Sequence, residues 1–222
     1  MNTEPASAFS AEERAAVYRA IHERRDIREN FLATPVPDDV LERILNAAHH
    51  APSVGFMQPW DFILIRDAAV REEVHCCFVD ANAKAAELYT GDRRALYDSL
   101  KLAAILEAPL NICVTCDRDR SLGSGLGRQS DNSTDLYSTV CAVQNLWLAA
   151  RAESLGVGWV SILDFDRLRE ILRIPAAIVP VAYLCVGYVG EYPSRPVLES
   201  KGWEGRESLA RLVHIDRFGG KG

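Results

Sequence analysis

The sequence predicts a layered fold of the α+β or α/β kind, because a few short strands are separated by long helices and one helix is apolar on almost every side. The strands are the runs Asp61–Ile65, Leu110–Cys116 and Val179–Tyr188; the last is continuously apolar, as a central strand covered on both faces is. The helix spans 135–154, where Leu136, Val140, Val143, Leu146, Trp147 and Ala150 leave little polar surface, so it belongs in a large core or between subunits. A chain of 222 residues, 48% hydrophobic and 25% charged, encloses such a core in one domain over 1–222. Strand order does not follow from this pattern.

The elements can be justified in order. Residues 1–9 read as a flexible arm. Ser10 and Glu13 form a capping box for a first helix, with Ala16/Ala20 and Val17/Ile21 at helical spacing, ending near Arg25. Pro37, Asp38 and Asp39 open a second helix whose apolar face is Val40, Leu41, Ile44, Leu45 and Ala48. Pro52 breaks it. Helices are expected over 67–88 and 93–107, separated by Thr90-Gly91. The polar, glycine-rich stretch Asp117–Asp131 is a long loop. Gly156 and Gly158 end the apolar helix, Trp159–Ile162 leaves it extended, and Asp164 caps a short helix through Leu172. From Gly190 to the end runs an extended tail with prolines, charges and Trp203, which needs a partner surface to be ordered.

Charge and composition exclude several functions. A net charge of -6 disfavours nonspecific binding to nucleic acid or anionic membranes. No segment is apolar for long enough to span a bilayer, and the N-terminus lacks the form of a signal peptide, so the expected compartment is the cytoplasm. Six cysteines in a chain of this size do not form a disulfide framework. Cys113 and Cys116 lie in a β-forming run without a second pair to complete a zinc site, and read as buried strand residues. His49-His50, His22, His75 and His214 show no metal-ligand spacing, and no metal is expected.

Two motifs carry a phosphate reading. Gly123-Ser124-Gly125-Leu126-Gly127 fails it: its third glycine comes one residue early, and the charged Asp117–Arg120 precedes it where a strand should. Arg24, Arg25 and Arg28, three guanidinium groups within five residues of an acidic chain, suit bidentate phosphate binding; they equally suit a solvated helix end, where basic side chains offset the dipole. The residues alone leave both readings open.

Four segments, taken together, resemble the FMN-dependent nitroreductase superfamily: Arg24–Arg28 (RRDIR), Ala51–Phe62 (APSVGFMQPWDF), Thr139–Ala150 with its exit Leu155–Ser161 (LGVGWVS), and Val181–Tyr188 (VAYLCVGY). The resemblance implies an α+β fold with a central mixed, mainly antiparallel sheet flanked by helices, and a homodimer with flavin at the interface and the Thr139–Ala150 helix in the dimer core. It also implies that Arg24, Arg25, Asp26, Ile27 and Arg28 meet the flavin phosphate and ribityl chain, and that Ser53, Gly55, Leu102 and Ser161 contact the cofactor. Two departures matter. Asp26 replaces a serine, and Phe56 replaces an asparagine two positions before the QPW. With these, the chain is similar to the flavin-consuming branch of the superfamily, the 5,6-dimethylbenzimidazole synthases.

That branch fragments reduced FMN with O2 to 5,6-dimethylbenzimidazole, the lower ligand of vitamin B12, and erythrose 4-phosphate. The resemblance ties Asp26 and Ser161 to catalysis. An aspartate can take protons where a serine cannot readily do so, which suits a general base beside the ribityl C1′. Tyr89–Leu106 is expected to cover the flavin as a lid, with Leu102 near the ring, and Lys201 and Arg206 are candidates for further phosphate contacts. No NAD(P) site is legible, so a separate flavin reductase is the expected source of FMNH2. The rival readings are an FMN-dependent NAD(P)H nitroreductase or dehalogenase, and a non-catalytic flavin-binding protein.

Overall fold

A four-stranded sheet organises the chain, with helices on both faces. The computed structural model describes residues 8–220, so most of the arm expected at 1–9 lies outside the described residues. The elements are α1 (Ala11–Glu23), α2 (Asp38–His49), β1 (Trp60–Ile65), α3 (Ala68–Ala86), α4 (Gly91–Asp98), β2 (Leu110–Asp117), α5 (Thr134–Ala152), β3 (Leu155–Val160), α6 (Phe165–Ile171), β4 (Ile178–Tyr188), α7 (Val197–Ser200) and α8 (Leu209–Leu212). Short 3₁₀ turns fall at Val54–Phe56 and Leu122–Gly125.

The strand order is β1-β2-β4-β3 and every strand pair is antiparallel. The parallel component of the expected mixed sheet is a single bridge, Asp26 to Val157, on the β3 edge. The central strands β2 and β4 are buried on both faces, as their unbroken apolar runs require. On one face, Ile112, Val114, Leu184 and Val186 pack with Ile44 of α2 and Val143 and Leu146 of α5. On the other, Cys113, Tyr183 and Cys185 pack with Val74 of α3, Leu168 of α6 and Ile105. No helix among the described residues is long and apolar enough to cross a membrane.

The Ser10–Glu13 capping box is present, with both reciprocal bonds made (3.2 and 2.7 Å). The first helix stops at Glu23, close to the expected end, since Arg24 is already extended. Two sequence expectations are corrected. The helix expected over 93–107 ends at Asp98. Beyond it Ala103, Ala104 and Ile105 are all buried in irregular backbone. Side chains satisfy the freed carbonyls instead: Asn111 Nδ2 donates to Ile105 O (3.1 Å) and Arg71 to Ala108 O (2.6 Å). Finally, Gly156 and Gly158 do not separate the apolar helix from an extended exit. They lie inside β3, which starts at Leu155.

Candidate active site

The glycines of β3 explain how the Arg24–Arg28 segment is held. Glycine within a strand often marks a close approach of another backbone. A Cβ on Gly158 would stand 2.0 Å from the carbonyl oxygen of Ile27, so only glycine admits the segment there. Ile27 N donates to Val157 O (3.0 Å), and the Ile27 side chain is buried in the core. This registers Asp26 beside Trp159, whose backbone N–H donates to Asp26 Oδ1 (2.9 Å). Arg28 Nε donates to Asp26 Oδ2 (2.8 Å), and the Asp26 side chain stays 30% exposed. The carboxylate is thus fixed at both oxygens yet open to solvent on one side.

The arginines divide their tasks. Arg24 lies over the Trp147 ring (4.7 Å), while Trp147 Nε1 donates to Arg25 O (3.2 Å). Arg25 donates to the carbonyls of His22, Arg24 and Ser194 (2.8 Å each), and so tethers the tail to the segment. Arg24, Arg25, Asp26 and Arg28 line a cavity with Leu198 and Arg206. Arg28 also lines an adjoining cavity with Ser99, Lys101, Glu191 and Lys201. Among the described residues no carboxylate pairs with Arg24, Arg25, Lys201 or Arg206. Arg24, Arg25 and Arg206 around the first cavity, and Lys201 beside the second, thus have no carboxylate partner and fit an anionic group such as a phosphate.

Ser161 is exposed and follows the end of β3, two residues beyond Trp159 on the same strand edge, about 7 Å along it. Leu102 is half-buried next to the cavity wall formed by Ser99–Lys101. The Tyr89–Leu106 segment packs on the tail, through Tyr89 and Tyr97 against Trp203.

Ser53 and Gly55 stand elsewhere in the chain. They belong to a tight loop in which Gly55, Phe56 and Gln58 all have positive φ (53°, 58° and 49°). For a bulky residue such as Phe56 that conformation is strained. It is held by Gln58 N donating to Ser53 Oγ (3.1 Å), by Val54 N donating to Ser138 Oγ of α5 (3.0 Å), and by the buried Met57. Phe56 itself is 77% exposed. The glycine run rejected as a phosphate loop closes on this one: a Cβ on Gly123 would stand 2.0 Å from Gly55 O.

Several supporting residues carried no signal in the sequence. Asp135 is fully buried and accepts from Arg118 Nε (3.1 Å) and Arg128 (2.9 Å), fastening the 117–131 loop to α5. Arg120 grips Asp61 with two bonds (2.8 and 2.7 Å) and also donates to Gln58 O and Trp60 O. Arg120 and Asp61 are 59 residues apart, and a charged run gives no hint of its partners. The Trp159 N–H is invisible for a simpler reason: every non-proline residue has one.

The remaining candidates are structural. Cys113 and Cys116 are free and buried, on opposite faces of β2, and burial pushes the Cys113 thiol up to about 12. His49 Nδ1 meets Trp60 Nε1 at 3.2 Å. Among the described residues no group of three or more His, Cys, Asp or Glu is placed to hold a metal ion.

The chain is similar to known proteins over most of its length. The profile of the nitroreductase family matches residues 21–188. A 5,6-dimethylbenzimidazole synthase of Rhodospirillum rubrum is 43% identical over 183 residues, covering 82% of this chain and 86% of its own. One from Rhodobacter capsulatus is 39% identical over 196 residues, covering 88% and 94%. Among solved structures, iodotyrosine deiodinase bound to FMN and 3-iodo-L-tyrosine superposes with a TM-score of 0.68 at 22% identity, over 81% of this chain and 94% of that one. The NADPH:FMN oxidoreductase from Vibrio harveyi complexed with NAD+ gives 0.67 at 19%, over 91% and 77%. The structural likenesses establish the fold, and the sequence matches establish kinship: the chain belongs to the nitroreductase family, alongside the 5,6-dimethylbenzimidazole synthases.

Proposed function

We propose that this chain is a 5,6-dimethylbenzimidazole synthase, which fragments FMNH2 with O2 into 5,6-dimethylbenzimidazole and erythrose 4-phosphate. The observation that carries the reading is Asp26: a carboxylate held by the Trp159 N–H and by Arg28, beside Arg24, Arg25 and Arg206, which have no carboxylate partner among the described residues. Reduced FMN, when bound, supplies the electrons and the reactivity toward oxygen, and is consumed as substrate.

The protein positions that substrate and moves protons. Arg24, Arg28, Lys201 and Arg206 hold the phosphate end, and Arg25 secures the tail that carries the last two. Each Asp26 oxygen keeps lone pairs beyond its bond to Trp159 or Arg28, so Asp26 acts as general base at the ribityl C1′ without leaving its seat. Ser161 has a hydroxyl free of protein partners among the described residues, and donates a hydrogen bond to the isoalloxazine edge. Ile27 contributes its backbone, and Leu102 faces the ring from the lid segment.

The active unit in this reading is a homodimer. Val54 is bonded to Ser138 near the start of α5 and Arg25 to Trp147 nine positions later, so the two flavin-contact segments stand about 13 Å apart along one helix. Two-fold pairing of the α5 face of Tyr137, Val140, Cys141 and Gln144, about an axis perpendicular to the helix near its middle, runs the two helices antiparallel. It sets Arg24–Arg28 of one chain beside Ser53, Gly55 and Phe56 of its copy. FMNH2 comes from a separate flavin reductase, in the cytoplasm, where six free cysteines stay reduced.

Aerobic incubation with FMNH2, followed by mass analysis of the flavin products, tests the reading. The wild type should yield 5,6-dimethylbenzimidazole. Asp26→Asn keeps the acceptor for Trp159 N but removes the base, and should lower the yield by about 100-fold or more while still oxidising flavin. Undiminished yield from Asp26→Asn would refute the role. Intact FMN from the wild type, with steady NAD(P)H oxidation on adding a nitroaromatic, would mark a nitroreductase instead.

A further inference from the structure

The two walls of the cavity beside Arg28 meet again beyond it. One wall is Ser99–Lys101, which continues directly from Tyr97 at the end of α4; the other is Val197 and Lys201, which leads within two residues to Trp203. The turn after α7 aims Trp203 back toward α4. Gly202, at φ +74°, donates to Glu199 O (3.1 Å), and Trp203 N donates to Leu198 O (2.9 Å), the paired bonds of a Schellman cap.

At the meeting point Arg93 of α4 lies with its guanidinium 3.6 Å from the centre of the Trp203 ring, and the same group donates to Trp203 O (2.9 Å). Tyr89 stacks on Tyr97 (4.8 Å) and meets Trp203 edge-on (5.3 Å). The buried Tyr97 is fixed in turn by its hydroxyl donating to Asn82 Oδ1 (2.7 Å). Tyr97 and Asn82 thus form a fixed base, and the exposed Arg93 and the half-buried Trp203 are the outer half of the cluster. A cation–π contact with a single main-chain hydrogen bond at an exposed position is a contact that opens and recloses.

We propose that Arg93 and Trp203 are positioning residues, a clasp that holds α4 and the tail together over the cavity of Arg28, Lys101 and Lys201. It retains the flavin and keeps water from the reaction. The inference rests on the flavin-consuming reading above. Its chemical consequence concerns the competing outcome, in which FMNH2 and O2 simply yield FMN and H2O2. A clasp that keeps solvent out favours fragmentation over that release.

The test compares Trp203→Ala, Trp203→Phe and Arg93→Gln in the full-length chain. Two quantities are read: the dissociation rate of oxidised FMN, and the share of FMNH2 ending as 5,6-dimethylbenzimidazole rather than as FMN and H2O2. Trp203→Ala and Arg93→Gln should each speed FMN release about tenfold and shift product toward peroxide, whereas Trp203→Phe, which keeps an aromatic face for Arg93, should stay within about threefold of wild type. Wild-type release and product share in both disruptive variants would overturn the clasp. If Trp203→Ala fails to fold, Arg93→Gln, an exposed change, decides alone. A wild type that binds FMN but makes no 5,6-dimethylbenzimidazole would refute the function, while the release rates still judge the clasp.

Discussion

The Arg24–Arg28 segment and the Ser53–Gln58 loop solve one problem in different ways. Both press backbone against a glycine: Ile27 against Gly158, and Gly55 against Gly123. The first contact is an extension of the sheet, with the segment bridged to β3 and carrying a carboxylate and three guanidinium groups. The second is made by two turns outside the sheet, and it holds three positive-φ residues in a six-residue loop. Regular pairing gives the charged groups fixed directions, which proton transfer at a defined atom requires. The strained loop instead pushes an apolar ring, Phe56, outward. Charge is thus placed on the stiff part of the molecule, and the strain on the part that presents a surface.

The sharpest way to break this comparison is Gly158→Ala. The new methyl would meet a backbone carbonyl 2.0 Å away, with no flexible side chain to yield. A loss of about 3 kcal/mol or more in urea unfolding is expected, at the upper end of overpacking costs, together with loss of Asp26 function. Gly123→Ala meets Gly55 O at the same distance, but its partner is a loop that can move aside. It should cost about 2 kcal/mol, including the penalty for a side chain at φ +75°. Equal losses at the two sites would contradict the division into stiff and yielding regions. Asp135→Asn probes the frame behind the loop: it leaves Arg118 and Arg128 without a charge partner, although both are partly exposed, and should cost about 1–2 kcal/mol.

The two regions also differ in how much of them the sequence disclosed. The apolar runs of β2 and β4 and the face of α2 mark the core directly, since burial on both faces or on one leaves a periodic trace. Arg24, Arg25 and Arg28 are visible as a charge cluster, but only resemblance gave that cluster a ligand. Gly156 and Gly158 stand out in the sequence but point there to the wrong task, because a glycine that ends a helix and one that admits a neighbouring backbone look alike in one dimension. The Gly55–Gly123 contact joins positions 68 residues apart, and no local pattern encodes it. The same holds for Arg93 and Trp203, 110 residues apart.

The smallest predicted effect separates strain from function. Phe56 is 77% exposed in the single chain, so its removal forfeits little packing there. Its backbone, at φ +58°, carries the cost of a left-handed conformation, about 1–2 kcal/mol for a residue with a Cβ. Phe56→Gly relieves that cost, while the greater freedom of glycine in the unfolded chain takes back about 0.4–1 kcal/mol. A net gain near 0.5 kcal/mol in thermal or urea unfolding should follow, measured without flavin. The variant should at the same time bind FMN more weakly if the loop faces the flavin of a paired copy. Greater stability with weaker binding would place the strain in service of the site; a loss of stability of 1 kcal/mol or more would mean that Phe56 is already buried against another chain, and that the loop is rigid only in the dimer.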